Sequence, residues 1–181
     1  MADEIEYSKF EHRSFFEQNE DSVYSVMATK TKREKIITES LDQLDIPYYL
    51  PIYTKIKRYK KGTQIHELPL FEGYVFYKNT PSKYTELLQL SNKYITTFEV
   101  GQSDTELFLN QLNIIKKMLT SKTTVKPYEH FKKGDKVRIK TGPMKDMEGY
   151  IVTEKKRYLF VVKIDILGQS VCCEIDPVNF A

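Results

Sequence analysis

Five bases fall within seven residues, at Lys55, Lys57, Arg58, Lys60 and Lys61, with Tyr59 among them. Lysine and arginine neutralise phosphates, and an aromatic ring between them offers a stacking platform for a base. The spacing therefore suits transient contact with DNA or RNA. Lys30, Lys32, Arg33 and Lys35 make a second basic group that would extend the same surface. A row of lysines serves equally to keep an exposed strand edge soluble. The remaining reactive side chains point away from catalysis. His12, His66 and His130 are scattered, without the paired spacing of metal ligands. There is no Gly-rich phosphate loop or nucleophile elbow, and "GPMKDMEG" is not followed by the Gly-Lys-Ser/Thr of a Walker loop. The chain reads as a non-enzyme with no cofactor and no metal. Cys172 and Cys173 are adjacent, so in a strand they point to opposite faces and a disulfide between them is not expected. This fits a reducing cytoplasm, with one cysteine buried and the other exposed.

The 181 residues suit one large or two small domains. Their charge is uneven. Residues 1–22 hold seven acids against two bases, and the remainder is basic, as befits work near a polyanion. That acidic head also carries Phe10, Phe15 and Phe16. It reads as a disordered extension that shields the basic body, or as a short docking segment. No apolar run approaches the ~18–20 residues that span a bilayer. "MADEIEYSKF" has neither the basic nor the apolar region of a signal peptide. A cytoplasmic protein without membrane contact is expected.

Apolar periodicity supplies the elements. "VYSVMAT" reads as a strand, and the following stretch as a helix whose apolar face carries Ile36, Ile37, Leu41 and Leu44 and which Pro47 ends. "YYLPIYTKIKRY" and "IHELPLFEGYVFYK" read as two long strands of a hairpin with a basic tip at "KKGTQ". A short helix over 82–92, a strand "YITTFEV" and a long helix capped at Ser103 or Asp104 complete a domain spanning 23–119. Residues 120–130 read as a linker. From 131 to 181, short strands recur between glycines and prolines. Phe160, Val162, Ile164 and Ile166 alternate on one strand, and Val171, Cys173 and Ile175 on another. The expected fold class is α+β: an N-terminal α/β sandwich, with helices on an antiparallel sheet, then a small five-stranded SH3-like β-barrel. Gly142-Pro143 would open a compact turn between the first two barrel strands, Met147 would plug the barrel end, and Gly149 would allow a close approach.

"GDKVRIKTGPMKDMEGYI" and "VKIDILGQSVCCEIDPVNF" resemble the KOW module of the NusG family of transcription elongation factors. "VYSVMATKTKREKII" and "ELPLFEGYVFYK" resemble the opening elements and the signature strand of that family's N-terminal domain. The resemblance covers residues 23–181. It implies binding to RNA polymerase through the first domain, with effects on pausing, antitermination or termination. It also implies recruitment of a second factor, Rho or the ribosomal protein NusE, by a monomeric chain. On these positions the polymerase-facing residues are Tyr74 and Phe76, which share strand parity, with Phe71, Leu70 and Met27 as weaker candidates. Without the resemblance, the pattern favours Tyr74 and Phe76 as the buried face of the sheet. Lys30, Lys32, Arg33, Lys55, Lys57, Arg58, Lys60 and Lys61 would face nucleic acid. Ile166, Leu167 and Gln169 would meet the second partner. The chain departs from the family pattern at Glu72, where proline is usual, at Tyr24, and in having no tryptophan. These departures fit a specialised, operon-specific paralogue of the RfaH type as readily as a general factor. A ribosomal or structured-RNA-binding KOW protein is the alternative from another class.

Overall fold

The computed structural model describes residues 14–18, 22–59, 62–79, 83, 85, 86, 96–121, 123–129 and 134–180. Contacts divide the chain into two compact units, Met1–Thr105 and Glu106–Ala181.

The first unit is built on a four-stranded antiparallel sheet in the order β2-β5-β1-β6. Its strands are β1 (Val23–Ala28), β2 (Tyr48–Tyr49), β5 (Tyr74–Asn79) and β6 (Thr96–Glu99). Alternation sorts each strand onto two faces. On one face Met27, Tyr48, Val75 and Tyr77 pack with Ile37 and Leu41 of helix α1 (Glu34–Gln43) and with Ile46, Leu50 and Ile52. Ile36, expected on that apolar face, is 51 % exposed; it lies one residue, about 100° of helical turn, from Ile37. Helix α1 ends in a Schellman arrangement. Asp45 takes the left-handed conformation (φ +51°), its N–H donates to the Asp42 carbonyl, and the Ile46 N–H reaches back to Leu41. Ile46 then enters the core before Pro47.

The stretch expected to return as one long strand is divided in two. Strands β3 (Ile52–Tyr59) and β4 (Gly62–Pro69) form a separate two-stranded sheet, while β5 joins the main sheet. The break is the turn Leu70–Gly73, where Gly73 adopts φ +82°. A residue with a Cβ resists that conformation, and a Cβ there would also lie 2.9 Å from the Thr29 carbonyl oxygen. The short helix expected over 82–92 falls largely outside the described residues.

Helix α2 (Gln102–Thr120) starts one residue before the first expected cap and carries Leu112, Ile115 and Met118 fully buried. The division between the units lies within it. The second unit adds a five-stranded antiparallel sheet in the order β7-β11-β10-β9-β8. Its strands are β7 (Lys126–Tyr128), β8 (Asp135–Arg138), β9 (Glu148–Glu154), β10 (Arg157–Ile164) and β11 (Gln169–Ile175). Five strands were expected, but β7 lies inside the stretch read as a linker: Pro127 pairs opposite Val171. No pairing among the described residues joins β7 to β8.

Both faces of this sheet are covered. Leu159, Val161 and Cys172 pack with Tyr128, Tyr150 and Val152 on one side. On the other, the Cys173 sulfur lies 3.8 Å from that of Met144. Both cysteines are therefore buried, against the expectation of one exposed. Burial raises both thiols, Cys173 to about 12. The Gly142–Met147 turn folds inward. Gly142 and Asp146 have positive φ, the Ile139 N–H donates to Met147, and Met144 and Met147 are buried.

Candidate functional site

The face of the first sheet turned away from α1 carries the strongest candidate residues. Register places Phe76 opposite Val26 on one side and Tyr49 on the other, and Tyr74 opposite Ala28. Directly opposed residues in an antiparallel pair project to the same side, so Tyr24, Val26, Tyr49, Tyr74, Phe76 and Lys78 share this face. Phe71, from the preceding turn, meets Phe76 edge to face at 5.7 Å between ring centroids. Tyr74 is half-buried and Phe76 has no exposure.

The expected candidates thus separate. Phe71, Tyr74 and Phe76 come together. Met27 lies on the opposite face in the α1 core, because its parity on β1 differs from that of Val26. Leu70 is buried beside the hairpin base, its N–H bonded to the Pro51 carbonyl.

The signature turn is held by a side chain that the sequence analysis did not single out. Glu34, 1 % exposed at the start of α1, accepts the Gly73 N–H at 2.7 Å. The Gly73 carbonyl in turn accepts the Thr29 N–H at 2.8 Å. A carboxylate bound to a buried amide is a strong, short hydrogen bond. Glu34→Ala should destabilise the first unit by about 2 kcal/mol, because a buried N–H loses its acceptor. Glu34→Gln keeps an acceptor oxygen and should cost less than half of that. Urea unfolding followed by near-ultraviolet circular dichroism measures both.

The β3–β4 hairpin presents two different faces. Lys55, Lys57 and Tyr59 share one with Gln64 and His66; Ile56 and Arg58 share the other with Ile65 and Thr63. Ile56 and Ile65 stand directly opposite each other and are 60 % and 66 % exposed. Lys55, Lys57 and Arg58 are exposed; Lys60 and Lys61, at the tip, lie outside the described residues. Lys30, Lys32 and Arg33 are exposed in the turn that leads into α1, where Lys32 takes φ +72°. Lys35, one residue into α1, reaches Glu67 of β4 at 3.7 Å.

In the second unit, the Asp165–Leu167 turn is a single 3-10 turn closed by Gly168 at φ +64°. Ile166, Leu167 and Gln169 are half-buried there. Gln111 of α2 clasps this turn. Its amide nitrogen donates to the Asp165 carboxylate at 2.6 Å, and its oxygen accepts the Asp165 N–H at 3.1 Å. Burial raises the Asp165 carboxyl, but the bonds from Lys163 and Gln111 outweigh it and leave the group below its ordinary value.

Among the described residues, no group of three or more His, Cys, Asp or Glu is placed to hold a metal, and no helix is long and apolar enough to cross a membrane.

The residues that sequence reasoning missed on the aromatic face are Phe15, Tyr24, Tyr49 and Lys78. Strand parity alone would have put Tyr24 with Val26 and Lys78 with Phe76. Nothing local marks Phe15.

The family model described as "Transcription termination factor nusG" matches residues 22–116. A solved structure reported as "Domain interaction in Thermotoga maritima NusG" is 18 % identical, with a TM-score of 0.45 over 88 % of this chain and 96 % of that one. No curated protein matches the chain.

Proposed function

The chain belongs to the NusG family of transcription factors, and from that premise we propose that it binds RNA polymerase during elongation through the Phe71, Tyr74 and Phe76 face of its first unit. The observation that carries this reading is the position of β5. The signature strand lies inside the sheet and turns Tyr74 and Phe76 away from the α1 core, while Tyr77 and Val75 face into it. Tyr74, half-buried on the same face as the fully buried Phe76, can supply desolvation energy to an apolar partner element.

The basic hairpin fits the same picture. Lys55, Lys57 and Tyr59 share one exposed face, suited to the phosphates and bases of nucleic acid beside the polymerase. The second unit, a KOW module, recruits a second factor through Ile166, Leu167 and Gln169. Rho and the ribosomal protein NusE are the two partners to test. The factor acts as a monomer in this reading.

Tyr74→Ala is the informative variant, because Tyr74 is only half-buried. It should weaken binding to core RNA polymerase roughly tenfold while circular dichroism and thermal unfolding change little. A pull-down in which wild-type protein ignores polymerase but holds structured RNA tightly would replace this reading with a ribosomal-type RNA-binding function. Occupancy along the genome separates the two roles within the family. Uniform tracking of polymerase marks a general factor, and confinement to a few long operons marks a specialised paralogue of the RfaH type.

A further inference from the structure

The acidic head is not wholly extended away from the body. Phe15 has no solvent exposure. Its ring meets Tyr24 edge to face at 5.6 Å, Tyr49 at 5.9 Å and its neighbour Phe16 at 4.9 Å; Phe16 also meets Tyr49 at 5.1 Å. The backbone around it forms a turn, in which the Glu17 N–H donates to the Ser14 carbonyl. Lys78, 3 % exposed, reaches up from β5 and donates to the carbonyls of both Ser14 and Glu17. The Tyr24 hydroxyl donates to the Glu17 carbonyl as well. Burial pushes the Lys78 ammonium below its ordinary value, opposed by the charge of Glu17. A buried ammonium needs acceptors, and the turn provides two.

The strap sits on the face already described. Tyr49 stands opposite Phe76, and Tyr24 opposite Lys78, on the side of the sheet turned away from α1. Four residues, held by the Phe15 and Phe16 rings and by hydrogen bonds from Lys78 and Tyr24, make a small contact of the kind that opens locally without global unfolding.

We propose that Ser14–Glu17 is a displaceable strap that occupies the aromatic face in cis, so that docking on polymerase requires Phe15 to leave its seat between Tyr24 and Tyr49. This rests on the polymerase-binding reading given above and adds a regulatory step to it. The strapped form binds polymerase poorly, and the apparent affinity is reduced by the fraction of chains whose strap is open. Anything that captures the acidic head would raise that fraction and so activate the factor.

Two measurements on the full-length chain test the strap. Phe15→Ala should bind core RNA polymerase roughly tenfold more tightly than wild type, matching a strap open in about a tenth of molecules. Hydrogen–deuterium exchange on the wild-type chain needs no variant, and it decides the matter even if Phe15→Ala folds poorly. Peptides covering residues 14–17 should be protected in the free protein and lose that protection when polymerase is added. Polymerase binding with protection at 14–17 unchanged or increased overturns the strap and leaves the docking face standing. So does a folded Phe15→Ala variant that binds no more tightly than wild type. If neither form binds polymerase, the docking reading itself fails and the strap falls with it.

Discussion

Phe76→Ala should destabilise the first unit by roughly 3–5 kcal/mol, the cost of removing a fully buried phenylalanine and leaving a cavity. Phe76 has no exposed surface, lies between β1 and β2 in register, and packs against Phe71. The edge-to-face contact with Phe71 adds to the loss. A domain of this size has only about 5–15 kcal/mol of stability in total, so the variant should show a large fall in urea midpoint and faster amide exchange in β1, β2 and β5. Exchange measured by peptide assigns the loss to this unit, which matters because two units need not unfold together. Loss of polymerase binding by Phe76→Ala would therefore report on folding. Tyr74→Ala, at a side chain that keeps some exposure, separates binding from stability. A Phe76→Ala protein of unchanged stability would mean that the residue is not part of the core.

Gly149→Ala should be nearly as damaging in the second unit, at about 3 kcal/mol. Gly149 lies in β9, paired opposite Val137. A Cβ there would stand 2.6 Å and 2.7 Å from carbons of the Phe160 ring and 2.7 Å from the Val161 carbonyl oxygen. Phe160 is completely buried and Val161 O belongs to the neighbouring strand β10, so neither can give way without moving the sheet. The usual gain from stiffening the unfolded chain, about 0.4–1 kcal/mol for Gly→Ala, is too small to compensate. Denaturant unfolding of the variant, with exchange followed in β9 and β10, checks this. Stability within 0.5 kcal/mol of wild type would mean that the approach of β9 to Phe160 is looser than described.

Much of the architecture was legible because it is written in local patterns. Alternation on "YVFYK" put Tyr74 and Phe76 on one face. The 3.6-residue period put Ile37 and Leu41 on one side of α1. The Gly and Pro punctuation from 131 onward implied a run of short strands, and β8 to β11 lie there, although the fifth strand, β7, comes from the stretch read as a linker. Where expectation and structure part, the deciding contact is non-local. "IHELPLFEGYVFYK" has continuous strand propensity, yet it divides at Gly73, where Glu34 from 39 positions earlier takes the N–H. Cys172 and Cys173 do point to opposite faces, but local alternation does not reveal that the sheet is covered on both. Pro127 reads as a linker residue until β11 offers it an edge, a position that tolerates the missing N–H.

For the candidate site the division has a single physical cause. A strand's sequence determines which residues share a face, since the pleat has a period of two; thus it placed Tyr74 with Phe76 and both apart from Val75. It does not determine what lies on that face, because the covering group comes from elsewhere in the chain. Phe15 in the acidic head and Lys78, bonded to carbonyls more than 60 residues away, are brought together only when the sheet forms. Local pattern alone thus carries the family resemblance and the grouping of Tyr74 with Phe76. Tertiary packing puts Met27 on the other side, makes Phe76 core, and seats Ser14–Glu17 against Tyr24, Tyr49 and Lys78.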